Sequence, residues 1–247
     1  MLLLPLLATS FLLSASAPSR QEGASAPEVV IAEGVATHRE SGSKIDYPRT
    51  MQVGDRTLEL TGIGLRTKTI FGVRVYAYGL YVDMDAVGDD LMRWKGKSAR
   101  QLADADDLYA KLLEDDVPKA LRLVFARNVD ADDVRSAFVD SLEPRLEQAR
   151  KKEMGDGKPA LDQFRGFFSL DKLRKGDELL FVSEPGGKLW TWVGKEAQDG
   201  LESKALVWAL YDVFMGSKPI MRKGKDRLVD LVPGLLDARA EKAGARK

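Results

Sequence analysis

The sequence predicts an α+β domain, an antiparallel sheet with helices packed on one side. Two observations point there. Strand-like alternation clusters in hairpin pairs, at 51–83 and 178–194, and helical periodicity falls between those pairs without a strict βαβ rhythm. The 247 residues, 44% apolar and 31% charged, suffice for one sizeable core, and no internal repeat or second-domain boundary is visible.

The elements follow in order. Leu2–Leu13 is almost wholly apolar and ends in Ser14-Ala15-Ser16-Ala17; a dozen apolar residues are too few to span a bilayer but fit a secretory signal. Residues 1–26 are therefore expected to be a signal peptide with its cleavage region, although no basic residue precedes the run. The mature protein is expected to be exported, periplasmic or secreted, with no membrane span. Residues 27–48, rich in Ser, Ala, Gly and charge, read as a flexible lead-in, and the domain is expected over 49–240.

The stretch "RTLELTGIGLRTKTIF" alternates in part, Gly72 can turn the chain, and "VRVYAYGLYVD" alternates cleanly. Tyr76, Tyr78, Leu80 and Val82 share one face of that second strand; Val75, Ala77, Gly79 and Tyr81 share the other. Both faces are apolar, so the strand is expected to be central, and Ala77 and Gly79 leave room for a close approach. Residues 84–118 read as polar helix with Leu102, Leu108, Leu112 and Leu113 near helical spacing. "ALRLVFARNV" reads as a strand. "DADDVRSAFVDSLEPRLEQARKK" is the strongest helix, with Asp130 as N-cap and Val134, Ala137, Phe138, Ser141 and Leu142 as its inner stripe. Pro144 is expected to kink or break it. "ELLFVS", "EPGG" and "KLWTWVG" form a hairpin. "SKALVWALYDVFMG" is an amphipathic helix with Gly216 at its C′ position, and a last helix is expected over Asp226–Ala240.

Lys plus Arg and Asp plus Glu both total 38, which argues against a nucleic-acid partner. With no cysteine and a single histidine, His38, the chain lacks the makings of a thiolate metal site, a cysteine nucleophile or Ser–His catalysis; no cofactor or metal is expected. The "GIG" at 62–64 is no dinucleotide fingerprint: the third glycine would fall on Thr67, and the segment continues as strand rather than opening a helix. Its glycines mark a bulge or a close backbone approach. The "MRKGKDR" run at 221–227 reads as a solvated face, and Trp190 and Trp192 as packing.

Arg66 is the sharpest candidate. It sits in an apolar strand one hairpin away from the tyrosines, and a buried cation needs an anion or a way out to solvent. Its planar fork suits a carboxylate or a phenolate, with tyrosine hydroxyls completing the cradle. Solvent exposure, or an internal Asp or Glu partner in a purely structural module, are the alternatives.

"LTGIGLRTKTIFGVRVYAYGLYVD", "ALRLVFARNVDADDVRSAFVDSL" and "GKLWTWVGKEAQDGLESKALVWALYDVFMGSKPI", in this order, resemble the chalcone isomerase-like family over roughly residues 50 to 235. That family includes plant chalcone isomerases, plastid fatty-acid-binding proteins and exported bacterial relatives. The resemblance implies an open-faced β-sandwich, a large antiparallel sheet backed by helices with a ligand cleft between them. It implies that Arg66 meets the ligand anion and that Tyr76, or Tyr78 one register step on, lies beside it. It also implies that Val134 and Ser141 stand where isomerases present a tyrosine and an asparagine. The expected function is non-catalytic binding of a fatty acid or similar apolar carboxylate. A chalcone-flavanone-type isomerase acting on a phenolic ligand is the alternative.

Overall fold

The structure is a computed structural model that describes residues 25–32, 34–68 and 72–245. The expected signal segment through residue 24 and the tip of the first long hairpin lie outside the described residues.

In chain order the strands are β1 (Val29–Val30), β2 (Thr37–Arg39), β3 (Asp46–Pro48), β4 (Thr50–Val53), β5 (Arg56–Lys68), β6 (Val73–Val82), β7 (Lys119–Phe125), β8 (Val129–Asp130), β9 (Lys172–Leu173), β10 (Glu178–Glu184), β11 (Lys188–Val193), β12 (Glu196–Ala197) and β13 (Leu201–Glu202). The helices are α1 (Met84–Leu91), α2 (Ala99–Ala103), α3 (Asp106–Leu112), α4 (Ala131–Lys151), α5 (Lys158–Gly166), α6 (Lys204–Met215), α7 (Arg222–Arg227) and α8 (Val232–Gly244). A single antiparallel sheet runs β1-β4-β5-β6-β7-β10-β11-β12, with β13 also on β11; β2–β3 and β8–β9 form separate pairs. The α+β expectation and the large curled sheet backed by helices hold.

β6 is central, between β5 and β7. Its Tyr76, Tyr78, Leu80 and Val82 face the helices and join the larger core with Leu121, Leu123, Phe125 and the inner sides of α4 and α6. Ala77 and Tyr81 face a second, smaller core with Tyr47, Met51 and Trp190. The room left by Gly79 is taken from within the protein: a Cβ there would lie 2.7 Å from the Tyr47 ring. The stretch 27–48, expected as a flexible lead-in, therefore contributes structure. β1 extends the sheet, the β2–β3 pair covers its far face with Tyr47 fully buried, and Tyr81 donates to the Pro48 carbonyl at 3.0 Å. Enough apolar surface is buried there to offset the ordering of a polar segment.

Four further expectations change. Pro144 lies inside an unbroken 21-residue α4. Pro144 and Asp140 are both on the solvent side, so water can take the carbonyl that the missing N–H leaves, while Phe138, Leu142 and Leu146 hold the helix to the core. Asp130 occupies the N-cap position without a capping hydrogen bond. Gly216 is not left-handed (φ −67°); it is glycine because a Cβ would fall 2.1 Å from the Asp212 carboxylate. Nor is the run 221–227 wholly a solvated face: Arg222 and Lys223 are exposed, but Gly224 and Lys225 are buried. It forms α7, which buries Lys225 to 1% exposure under Tyr109 and clasps the N-terminal hairpin through Arg227 and the fully buried Glu40, 2.9 Å apart.

A sheet–helix cleft with an arginine at its mouth

The "GIG" glycines let the β5–β6 pair accept close neighbours on its helix side. A Cβ on Gly62 would meet the Arg227 carbonyl oxygen at 2.1 Å, so α7 ends directly on the strand. A Cβ on Gly64 would meet the Tyr78 ring at 2.3 Å, so that ring lies flat across its cross-strand partner. The register shifts between Leu60 and Gly62 and again between Arg66 and Thr67. β5 is thus bulged at both ends of the glycine stretch, and the second bulge re-aims the strand just where Arg66 and Lys68 leave it.

There the sheet parts from the helices and leaves a cleft of about 190 Å³. Its floor is Arg66 and Lys68 of β5 with Val75 and Tyr76 of β6. α4 forms the roof through Val134, Ala137, Phe138 and Ser141, with Asp133 at the rim. Val213 of α6 and Ile220, in the loop after it, close one side.

Arg66 and Tyr76 are direct cross-strand partners. Arg66 is half-buried, and one of its terminal nitrogens donates to the Ile220 carbonyl at 3.1 Å. Among the described residues no carboxylate lies within ion-pair distance of it, so a cation sits at an apolar cleft with most of its fork uncommitted. Tyr76 is 9% exposed, and its ring is steadied edge-on by Phe125 at 5.7 Å and Tyr78 at 6.1 Å. Burial pushes its phenol well above the ordinary tyrosine range while the Arg66 charge pulls the other way, so it stays protonated and able to donate.

Tyr78 is a different case. It is fully buried beneath α7, outside the cleft wall, and among the described residues its hydroxyl has no partner. The structure brings Arg66 and Tyr76 together and places Tyr78 one layer behind. Val134 and Ser141 both line the cleft; Ser141 spends its hydroxyl proton on the Ala137 carbonyl, 2.7 Å away. Lys68, Val75, Phe138, Val213 and Ile220 are cleft residues that the sequence alone did not assign. Only Lys68 carried a signal, two positions beyond Arg66 on the same strand.

A family model described as chalcone isomerase-like matches residues 40–229. The chain belongs to the chalcone isomerase-like family. Its relatives include a protein named fatty-acid-binding protein 2 from Arabidopsis thaliana, 29% identical over 201 residues that make up 80% of this chain and 48% of the relative. The chain thus spans about half the length of that relative. A chalcone–flavanone isomerase of Ipomoea batatas is 26% identical over 181 residues, 70% of this chain and 74% of that protein. Both names occur among relatives of this chalcone isomerase-like chain, so membership alone assigns neither role. Among solved structures, an Arabidopsis thaliana fatty-acid binding protein superposes with a TM-score of 0.65 at 24% identity, covering 82% of this chain and all of the other. That likeness shows the fold.

Proposed function

We propose that the cleft holds a fatty acid or similar apolar carboxylate and leaves it chemically unchanged. The observation that carries this reading is Arg66, a half-buried guanidinium at a mainly apolar cleft, held by the Ile220 carbonyl and with no carboxylate of the described residues within ion-pair distance. A carboxylate entering there receives charge-assisted hydrogen bonds from Arg66 and a neutral O–H from Tyr76. The tail lies against Val134, Phe138 and Val213, each buried methylene adding about 0.8 kcal/mol before ordering costs. Relatives named for fatty-acid binding support the same assignment. Export through the apolar N-terminal stretch belongs to this proposal and places the binder in the periplasm or outside the cell.

The test is the lipid that accompanies the purified protein. Mass spectrometry of native wild type should find bound fatty acid, and Arg66→Ala should lose it, since charge-assisted bonds of about 1.5–3 kcal/mol correspond to roughly ten- to a hundredfold in Kd. Equal lipid content in a folded mutant overturns the reading.

The isomerase relatives favour a second reading, in which Arg66 stabilises a phenolate that closes onto an enone. Against it, Val134 offers no hydrogen bond and the Ser141 proton is committed within α4. Arg66-dependent loss of chalcone absorbance above the spontaneous rate would establish it.

A further inference from the structure

The cleft does not end at Arg66. It runs into a second, polar groove of about 290 Å³, and the two share Lys68, Val75, Val129 and Asp133 in their walls. Arg127, Asn128 and Lys172 complete the far side, with Asp130 beside Lys172. The channel therefore changes along its length from apolar to strongly charged.

The charges are unequal in a chain whose total is zero. Lys172 and Asp130 offset one another across 3.8 Å. Among the described residues that line the cleft and the groove, Arg66, Lys68 and Arg127 are then met by Asp133 alone. One carboxylate at Arg66 leaves a positive charge without a partner, whereas a phosphate monoester, at about −1.5 to −2 near neutrality, matches the excess. Asn128 adds to this: its side-chain oxygen accepts from the Lys175 N–H at 2.9 Å, which leaves the amide NH₂ as the group it can present. Among the described residues Arg127 commits one long contact, Nε to the Asn128 carbonyl at 3.4 Å, and keeps its terminal nitrogens. A cationic fork, a lysine and an amide donor around one groove, with Arg66 in the adjoining cleft, are a phosphate-class environment.

We infer that the ligand is an acyl or alkyl chain in the Arg66 cleft whose head continues into this groove as a phosphate-class anion. The inference rests on the binding reading above and narrows its ligand class.

The experiment compares dodecanoate, dodecyl phosphate and inorganic phosphate by titration calorimetry, the amphiphiles below their micelle concentrations, on wild type and on Arg127→Gln. Arg127 is exposed and outside the core, so the variant should fold, with an unchanged melting curve as the check. Wild type should prefer dodecyl phosphate over dodecanoate by about tenfold, the equivalent of one added charge-assisted bond, and Arg127→Gln should bring that ratio towards one. Equal binding of the two amphiphiles by wild type, or an unchanged ratio in Arg127→Gln, overturns the inference while leaving the carboxylate reading intact. If neither amphiphile binds, the carboxylate reading falls as well. Inorganic phosphate binding as tightly as dodecyl phosphate would make the groove a free-phosphate site and overturn the linked head.

Discussion

Replacing Tyr78 with phenylalanine should stabilise the protein, against the usual direction for a buried side chain. The Tyr78 ring is fixed between Gly64 and Phe214, whose ring lies 4.9 Å away, and the hydroxyl points at Gly224 of α7, where an added Cβ would come within 1.9 Å of it. That oxygen is buried, and among the described residues nothing bonds it. Burial, with the neighbouring Tyr76, drives its ionisation far above the working range despite Arg66, so it carries the full desolvation penalty of a neutral hydroxyl at any ordinary pH. An unpaired buried hydroxyl costs about 1–3 kcal/mol. The void left by one oxygen is smaller than a methyl group and costs under about 1 kcal/mol. The balance is a gain of about 1 kcal/mol, or roughly 2–4 °C in Tm for a domain of this size. Urea and thermal denaturation of Tyr78→Phe measure it, alongside fatty-acid affinity, which should not move. A loss of more than about 1 kcal/mol would mean that the hydroxyl is bonded. A drop in affinity comparable to that of Tyr76→Phe would put Tyr78 in the site itself.

Gly224→Ala should destabilise by about 1–3 kcal/mol through overpacking, and part of the loss should return in the Tyr78→Phe background, a coupling read from a double-mutant cycle. Phe138 contacts Phe164, Phe168 and Phe181 and walls a cleft smaller than the roughly 300 Å³ at which small-molecule sites usually begin, so Phe138→Leu should shift preference towards longer chains. Competition between fatty acids of increasing length reads this as about fourfold tighter binding per additional methylene buried. Lys119, buried among backbone carbonyls, is pushed down by that burial to about 8, against the pull of Asp115, Asp116 and Glu114. Between about 8 and its ordinary 10.5 the unfolded chain holds a proton that the folded chain has released, so stability should rise with pH from 8. The buried tyrosines, whose folded ionisation is raised, reverse the slope above 10. Urea midpoints between pH 7.5 and 9.5 should show the rise in wild type and none in Lys119→Met.

The alternation of β6 placed Tyr76 and Tyr78 on one face, and two apolar faces made the strand central, because period and polarity are local properties. The "GIG" glycines could be read as a close approach, but not of what: the Tyr78 ring and the end of α7 reach them from elsewhere in the chain. The same limit hid α7. "MRKGKDR" looks solvated because five of its seven residues are charged, yet Gly224 and Lys225 are buried by tertiary neighbours that no window contains. The α4 stripe shows a subtler ambiguity. Val134, Phe138 and Leu142 reach the core as their spacing implies, but Ala137 is exposed and Ser141 half-buried, because that flank faces the cleft. Helical periodicity marks a face turned inward and does not distinguish packed core from open cavity. Ile220, 154 residues from Arg66, had no local mark at all.

Whether such a cleft holds an anion or makes it react depends on where its charged groups lie along the reaction path. Closing a phenolate onto an enone moves negative charge from the attacking oxygen to the enone oxygen, across the six-membered ring that forms. Acceleration requires groups that meet the charge at its destination better than at its origin. Here Arg66 and Tyr76 are cross-strand partners on the floor of the cleft, and Lys68 leaves the same strand beside them. The opposite wall is Val134, Phe138 and Val213, with Ser141 already donating to its own helix. In a pose that turns the enone oxygen to that wall, the transferred charge would lose its partners and gain none, so an anion held at Arg66 in that pose is favoured before the bond forms rather than during it. Grafting a donor onto the far wall separates the two behaviours. Val134→Tyr should leave fatty-acid retention dependent on Arg66 while narrowing the cleft, and chalcone turnover appearing in this variant but not in wild type would locate the missing group. Turnover in wild type at a rate that Val134→Tyr does not raise would refute the argument from charge placement.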